Sequence, residues 1–214
     1  MMAAMPHAPS LSARALVLYS AALLALLALS AWRPFELGTW AMEVAPVVIA
    51  LPVLWATQRR FPLTPLLYAL IFAHACVLMI GGHYSYARVP LGEWMREVFA
   101  FERNHYDRIG HFMQGAVPAM VARELLLRRT ALQRGGWLFT LVTAVALAIS
   151  AIYELIEWGA AVALGSGADE FLGTQGDPWD TQKDMAMAWI GAMLAQLLLA
   201  RWHDRQLAAL ASAC

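Results

Sequence analysis

The sequence predicts an all-α protein, a polytopic integral membrane bundle of about six transmembrane helices. Three observations lead there. Hydrophobic residues make up 61% of the chain and charged residues only 14%, and the mean hydropathy is +0.56, far from the profile of a soluble domain or of a disordered chain. The apolar residues are gathered into runs of the length, about 20 residues, that a helix needs to cross a bilayer. Between the runs stand residues that end helices or favour water: Arg33-Pro34, Arg59-Arg60 with Pro62, Gly81-Gly82 and Gly135-Gly136.

The first run, about 15–32, has Arg14 before it and small residues near Ser30-Ala31, as a secretory signal would. Its apolar stretch is longer than a signal core of about 7–15 residues, so retention as a first helix is expected. The second, 40–57, contains Pro46 and Pro52, and the third, 64–82, carries His74 and Cys76 within an apolar segment. Residues 83–107 form the one substantial connection, in which Leu91, Trp94, Met95, Val98 and Phe101 recur at helical spacing among mixed charges, the pattern of an interfacial amphipathic helix. Runs at 108–126, 137–164 and 184–201 complete the set. They leave little room for a soluble domain, so residues 1–214 are read as a single membrane domain.

Lys and Arg in the short loops set orientation. With the amino terminus inside, the inner segments hold Arg14, then Arg59 and Arg60, then Arg128, Arg129 and Arg134, and finally Arg201 and Arg205. The 165–182 loop has no Lys or Arg and carries Asp169, Glu170, Asp177 and Asp180, so it reads as outer. Arg88, Arg96 and Arg103 run against this rule, but both termini are still expected in the cytoplasm. A net charge of zero gives no basic face for nucleic acid. Cys76 and Cys214 form neither a disulfide framework nor a C-x-x-C metal pattern.

Three polar stretches adjoin or enter the apolar segments: His105 to Phe112, Tyr153 to Trp158, and Gly173 to Met185. An ionisable group in the hydrocarbon costs several kcal/mol unless it finds a partner. Under the expected topology all three lie at one outer level. Asp107 and His111 are four residues apart, as are Asp180 and Asp184, and Glu154 and Glu157 are three apart, so each pair shares a helical face. Neighbouring helices can then aim these groups at one point. Asp107, His111, Glu154 and Asp184 are the expected metal ligands, with Glu157 or Asp180 as general base. Carboxylate and imidazole together suit Zn, Mn or Fe, and an all-oxygen subset suits Mg or Ca. The competing interpretation is a structural network in which Arg108 or Lys183 neutralises two of the acids.

Other residues have plainer readings. His74 is expected to hydrogen-bond between helices, His83 to lie at the interface or reach the outer site, and Glu43 to snorkel or pair with Arg33. Arg123 and Glu124 are expected to be solvated at the inner border. Tryptophans 32, 40, 94, 137, 158, 179 and 202 fall near helix ends or in the interfacial stretch, as an aromatic belt requires.

The run Tyr106-Asp107-Arg108-Ile109-Gly110-His111-Phe112, the run Tyr153-Glu154-Leu155-Ile156-Glu157-Trp158, and the long motif from Phe171 to Met185 resemble the bacterial YjdF-type inner-membrane protein family. The resemblance extends over most of the chain from the second helix onward. It implies a small multi-pass protein of the inner membrane, without specifying a reaction. A weaker similarity is to the VanZ-like membrane family, in the order Asp107/His111, Glu154, then Asp184 with Gly191; Ala188 stands where that pattern has Asn, and Arg108 where it has Lys.

The leading functional expectation is a metal-dependent membrane enzyme acting on a lipid or lipid-linked substrate near the outer leaflet. The alternatives are an ion- or proton-coupled transporter, or a non-catalytic structural or assembly protein. The topology has a direct test: reporter fusions after Arg60, Arg134 and Arg205 should report cytoplasm and one at Gly167 periplasm, and a cytoplasmic signal at Gly167 would invert the orientation.

Overall fold

The computed structural model describes residues 10–164 and 174–212. Among them are seven α-helices and no strand: α1 (Ala13–Ser30), α2 (Leu37–Thr57), α3 (Pro65–Tyr84), α4 (Pro90–Phe99), α5 (Tyr106–Arg129), α6 (Gly136–Leu164) and α7 (Asp180–Ser212). Asp169, Glu170 and residues 171–173 of the acidic loop, and Cys214, lie outside the described residues.

Five helices, α1, α2, α3, α6 and α7, are long and apolar enough to cross a membrane. The sixth expected span, α5, departs from that pattern. At 24 residues it is about 36 Å long, ample for a crossing, but it carries Asp107, Arg108, His111, Gln114, Arg123, Glu124, Arg128 and Arg129. Its position resolves the conflict, because it packs against α3, α6 and α7 at the centre of the bundle. A helix sheltered by its neighbours can hold polar groups that lipid would reject.

The helices also extend past the expected boundaries, most of all α7, which runs from 180 to 212 rather than 184 to 201. Hydropathy marks where apolar content stops, whereas helical hydrogen bonding continues through the polar first and last turns. Asp180 and Asp184 consequently occupy the first two turns of one continuous helix.

α5 and α7 run parallel and in close contact. A Cβ on Gly115 would lie 1.8 Å from the Ala188 carbonyl oxygen, and one on Gly191 would lie 2.1 Å from that of Phe112. Neither position has room for any side chain, so the two backbones touch there in the manner of small-residue membrane contacts. α6 returns antiparallel and packs Leu138, Val142 and Ala146 against Ala119 of α5 and Ala192 of α7. On the other side α3 carries α2, with Val44 and Val47 against Ala75, Leu78 and Met79, while Leu16 and Leu23 of α1 enter the adjoining clusters. α4 presents Trp94, Val98 and Phe99 outward, each more than half exposed, with Glu93 and Arg96 paired at 2.7 Å, consistent with a helix at the membrane interface.

At the arginine-rich end, solvation of Arg123 and Glu124 is not what the structure holds. Glu124 is fully buried and Arg123 is 4% exposed. Glu124 accepts from the Thr64 hydroxyl at 2.8 Å, Arg128 at 2.5 Å and His203 Nε2 at 2.9 Å. Arg123 donates to His203 Nδ1 at 2.8 Å and to Asp204 at 2.8 Å. A guanidinium can only donate, so Nδ1 of His203 accepts and Nε2 carries the proton given to Glu124. Gln206 accepts from the Leu66 N–H at 2.9 Å, tying α3 into the same network. Every charge in this knot has a partner, which is the condition for tolerating buried charge.

Substitution of the contact glycines should separate the helices. Gly115→Val or Gly191→Leu is expected to lower thermal stability in detergent by about 1–3 kcal/mol or prevent folding. Gly159→Ala, where a Cβ meets nothing within 4 Å, should leave the midpoint unchanged.

Candidate functional site

The parallel pairing brings the first turns of α5 and α7 face to face, and α6 supplies the third wall. His111 Nε2 stands 3.3 Å from Asp107 Oδ1 and 3.7 Å from Asp184 Oδ1, and its Nδ1 is 3.7 Å from Glu154 Oε1. Gln114 Oε1 lies 3.1 Å from the same Nδ1. Asp107, His111 and Asp184 each offer a ligand atom within 4.8 Å of the others, and all three are enclosed by protein. Glu154 is 7% exposed, and its Oε1 has no hydrogen-bond partner. An unbonded carboxylate oxygen aimed at an imidazole inside a bundle is costly unless something occupies the intervening space.

Glu157 is half-buried and lines a cavity of about 20 Å³ with Asp107, His111, Glu43 and Tyr153, room for about one water molecule. Glu43 here departs from the expectation of snorkelling or pairing with Arg33: it is 4% exposed and accepts from the Tyr153 hydroxyl at 3.2 Å. Its only signal in the sequence is an acid inside an apolar run. His83 turns away from the cluster, with Nδ1 at 2.9 Å from the Ser30 carbonyl. His74 Nε2 is buried without a partner, contrary to the expected interhelical bond, and the residue lines an apolar groove elsewhere.

Asp180 is differently placed from the other acids. Its Oδ1 receives Arg108 at 2.5 Å and Arg103 at 2.6 Å, and Arg108 also bonds Asp184. Lys183 takes Asp177 at 2.6 Å. Part of the cluster is thus neutralised as in the competing structural interpretation, by Arg108 and Lys183, and also by Arg103, for which the sequence suggests no role. Carboxyl groups still outnumber the permanent cations. Glu43, Asp107, Glu154, Glu157, Asp177, Asp180 and Asp184 gather around three permanent cations, Arg103, Arg108 and Lys183. An excess of carboxyls of this kind is stable only with protons or a bound cation among them.

Thr174 and Gln175, in the described part of the acidic loop, are latched to this end by main-chain bonds that leave no pattern in the sequence. Gln175 Oε1 accepts from the Asn104 N–H at 3.1 Å while its Nε2 donates to the Asn104 carbonyl at 2.9 Å. Arg103 donates to the Thr174 carbonyl at 2.9 Å. The Asn104 side chain reaches the Val89 carbonyl and Glu93, both at 3.0 Å, joining α4 to the same assembly. Gln175 and Gly176 hold φ of 48° and 84°, a left-handed pair in which glycine relieves the steric cost at the second position. Lys183, with the Trp179 N–H, holds the Asp177 carboxyl below its usual range. Because that shift is downward, the contact supports the loop above the ordinary Asp titration near pH 3.9 and is lost as acid protonates the carboxylate.

The two polar ends should respond oppositely to neutralisation. His203→Ala, which strips partners from buried Glu124 and Arg123, is expected to cost about 1–3 kcal/mol. Glu154→Gln, which removes a carboxylate from an acid-rich pocket, should leave metal-free stability unchanged or raised. Thermal melts in chelator-treated detergent solution measure both.

Inner membrane protein YjdF of Escherichia coli (strain K12) is 59% identical to this chain over 169 residues, which cover 79% of this chain and 81% of that protein. No solved structure matches the chain. The family described as Predicted membrane protein (DUF2238) matches residues 15–205, a stretch that contains all three polar clusters. The helical architecture, the motifs and these matches agree: the chain is a multi-pass membrane protein and belongs to the DUF2238 family.

Proposed function

We propose that the cluster at the outer end holds a divalent cation and serves a hydrolytic reaction on a lipid or lipid-linked substrate, in the inner membrane where the E. coli relative's name places that protein. The observation that carries this reading is the convergence of Asp107, His111 and Asp184 from two parallel helices, with the unbonded Glu154 oxygen facing the same imidazole. Asp107, His111, Glu154 and Asp184 are the ligands. Mixed carboxylate and imidazole donors favour Zn, Mn or Fe over Mg.

A cation bound there supplies positive charge to a phosphoryl or acyl oxygen of the substrate. Glu157, in the small cavity beside Asp107 and His111, takes a proton from the attacking water as the water oxygen bonds to phosphorus or carbon. It then returns that proton to the alcohol oxygen that leaves. Asp180, the other candidate base, has one oxygen committed to two guanidiniums and serves instead to position Arg103 and Arg108. Those arginines also set the register of the acidic loop over the site.

Elemental analysis of detergent-purified protein tests the proposal. The wild type should carry about one divalent ion per chain, His111→Ala should lose it, and Glu157→Gln should keep it while releasing no product from lipid phosphate esters. Absence of metal from the wild type, with no rise in melting temperature on adding Zn, Mn, Fe or Mg, would overturn the cation site. Metal retention with full turnover by Glu157→Gln would overturn the assigned base.

A further inference from the structure

A second recess opens toward the arginine-rich end and meets the small cavity of the acid cluster at Leu78. α2 and α5 stand apart over α3, leaving a groove of about 490 Å³, within the size range of pockets that take organic ligands. Its walls are almost wholly apolar, with Pro46 and Ala50 on α2, Ile71 on α3, and Pro118 and Val121 on α5. Both prolines lie inside their helices, where the missing N–H and the ring bend the axis. From Val117 to Arg129 the α5 wall rises about 18 Å, close to the depth of one leaflet in a hydrocarbon core of about 30 Å.

The mouth of the groove is cationic. Arg129 lines it and lies 4.7 Å from the centre of the Phe61 ring. Its neighbour Arg128 stacks on that ring at 3.7 Å but is already engaged by Glu124 and the Pro62 carbonyl. Arg129 has no carboxylate within ion-pair distance among the described residues, and Arg59 and Arg60, exposed in the adjacent turn, likewise have none. The nearby acid, Glu124, is buried and fully engaged. A leaflet-deep apolar channel ending at an unneutralised guanidinium matches one kind of molecule, an apolar chain with an anion at its head.

We propose that this groove binds one acyl chain of an anionic phospholipid drawn from the leaflet on the arginine side, with the lipid phosphate held by Arg129. None of the proposed cation ligands lines the groove, and the assignment does not depend on the reaction proposed there. The chain fills the space left open between α2 and α5, and the phosphate supplies the charge that Arg129 lacks. Arg59 and Arg60 strengthen the preference for anionic over zwitterionic headgroups without contacting the chain.

Native mass spectrometry and thermal melts of the full chain in detergent, with phosphatidylglycerol, phosphatidylcholine or inorganic phosphate added, test this assignment. The wild type should retain one phosphatidylglycerol through detergent washing, prefer it over phosphatidylcholine by about fivefold, and melt higher when it is bound. Arg129→Gln should lose most of that preference, keeping only the weaker part that Arg59 and Arg60 supply. Ala50→Trp, which fills the groove from α2, should lose both, and Val121→Trp does the same from α5 should the first variant fail to fold. Equal retention of the two lipids by the wild type would overturn the proposal. So would wild-type retention of phosphatidylglycerol by a folded groove-filling variant, or stabilisation by inorganic phosphate equal to that by the lipid.

Discussion

The contact between α5 and α7 governs this molecule. Two helices entering the bundle from the same end, with backbone against backbone at Gly115 and Gly191, have no freedom to slide or rotate relative to one another. Side chains one to three turns before that contact are therefore fixed in register, which is why Asp107, Arg108 and His111 meet Asp180 and Asp184. Lipid offers no hydrophobic drive to pull helices together, so such proximity has to come from van der Waals fit and polar bonds. The glycines supply the first and the arginine–aspartate pairs the second.

Along the same two helices lie polar assemblies of opposite character. Glu124, His203, Arg123 and Asp204 form a closed set in which each donor finds an acceptor. At the far end, acids exceed cations, Glu154 has an unbonded oxygen, and a cavity remains beside His111. Buried polar groups fixed only for packing tend to be mutually satisfied. The asymmetry supports a structural part for one end and the proposed ligand-binding part for the other.

Much of this is legible in the chain. Five spans announce themselves by hydropathy, and the i to i+4 spacing of Asp107/His111 and Asp180/Asp184 is enough to put each pair on one helical face. Less legible are interactions between residues far apart in sequence. Glu124 and His203 are separated by 79 positions, and a local pattern conveys only depth, which at a helix end suggests water. The same holds for Glu43, whose partner Tyr153 is 110 positions away. The role of Arg103 is hidden because it lies before the helix, where a charged residue ordinarily faces solvent.

The polarity of α5 bears on how the protein enters a membrane. A segment holding this many charges has little tendency to partition into lipid alone. Its stable home exists only once α3, α6 and α7 surround it, and α6 and α7 are synthesised after it. The polar ends of α5 gain their full set of partners only when α6 and α7 are in place, so the central helix of the bundle depends for its seat on segments made after it.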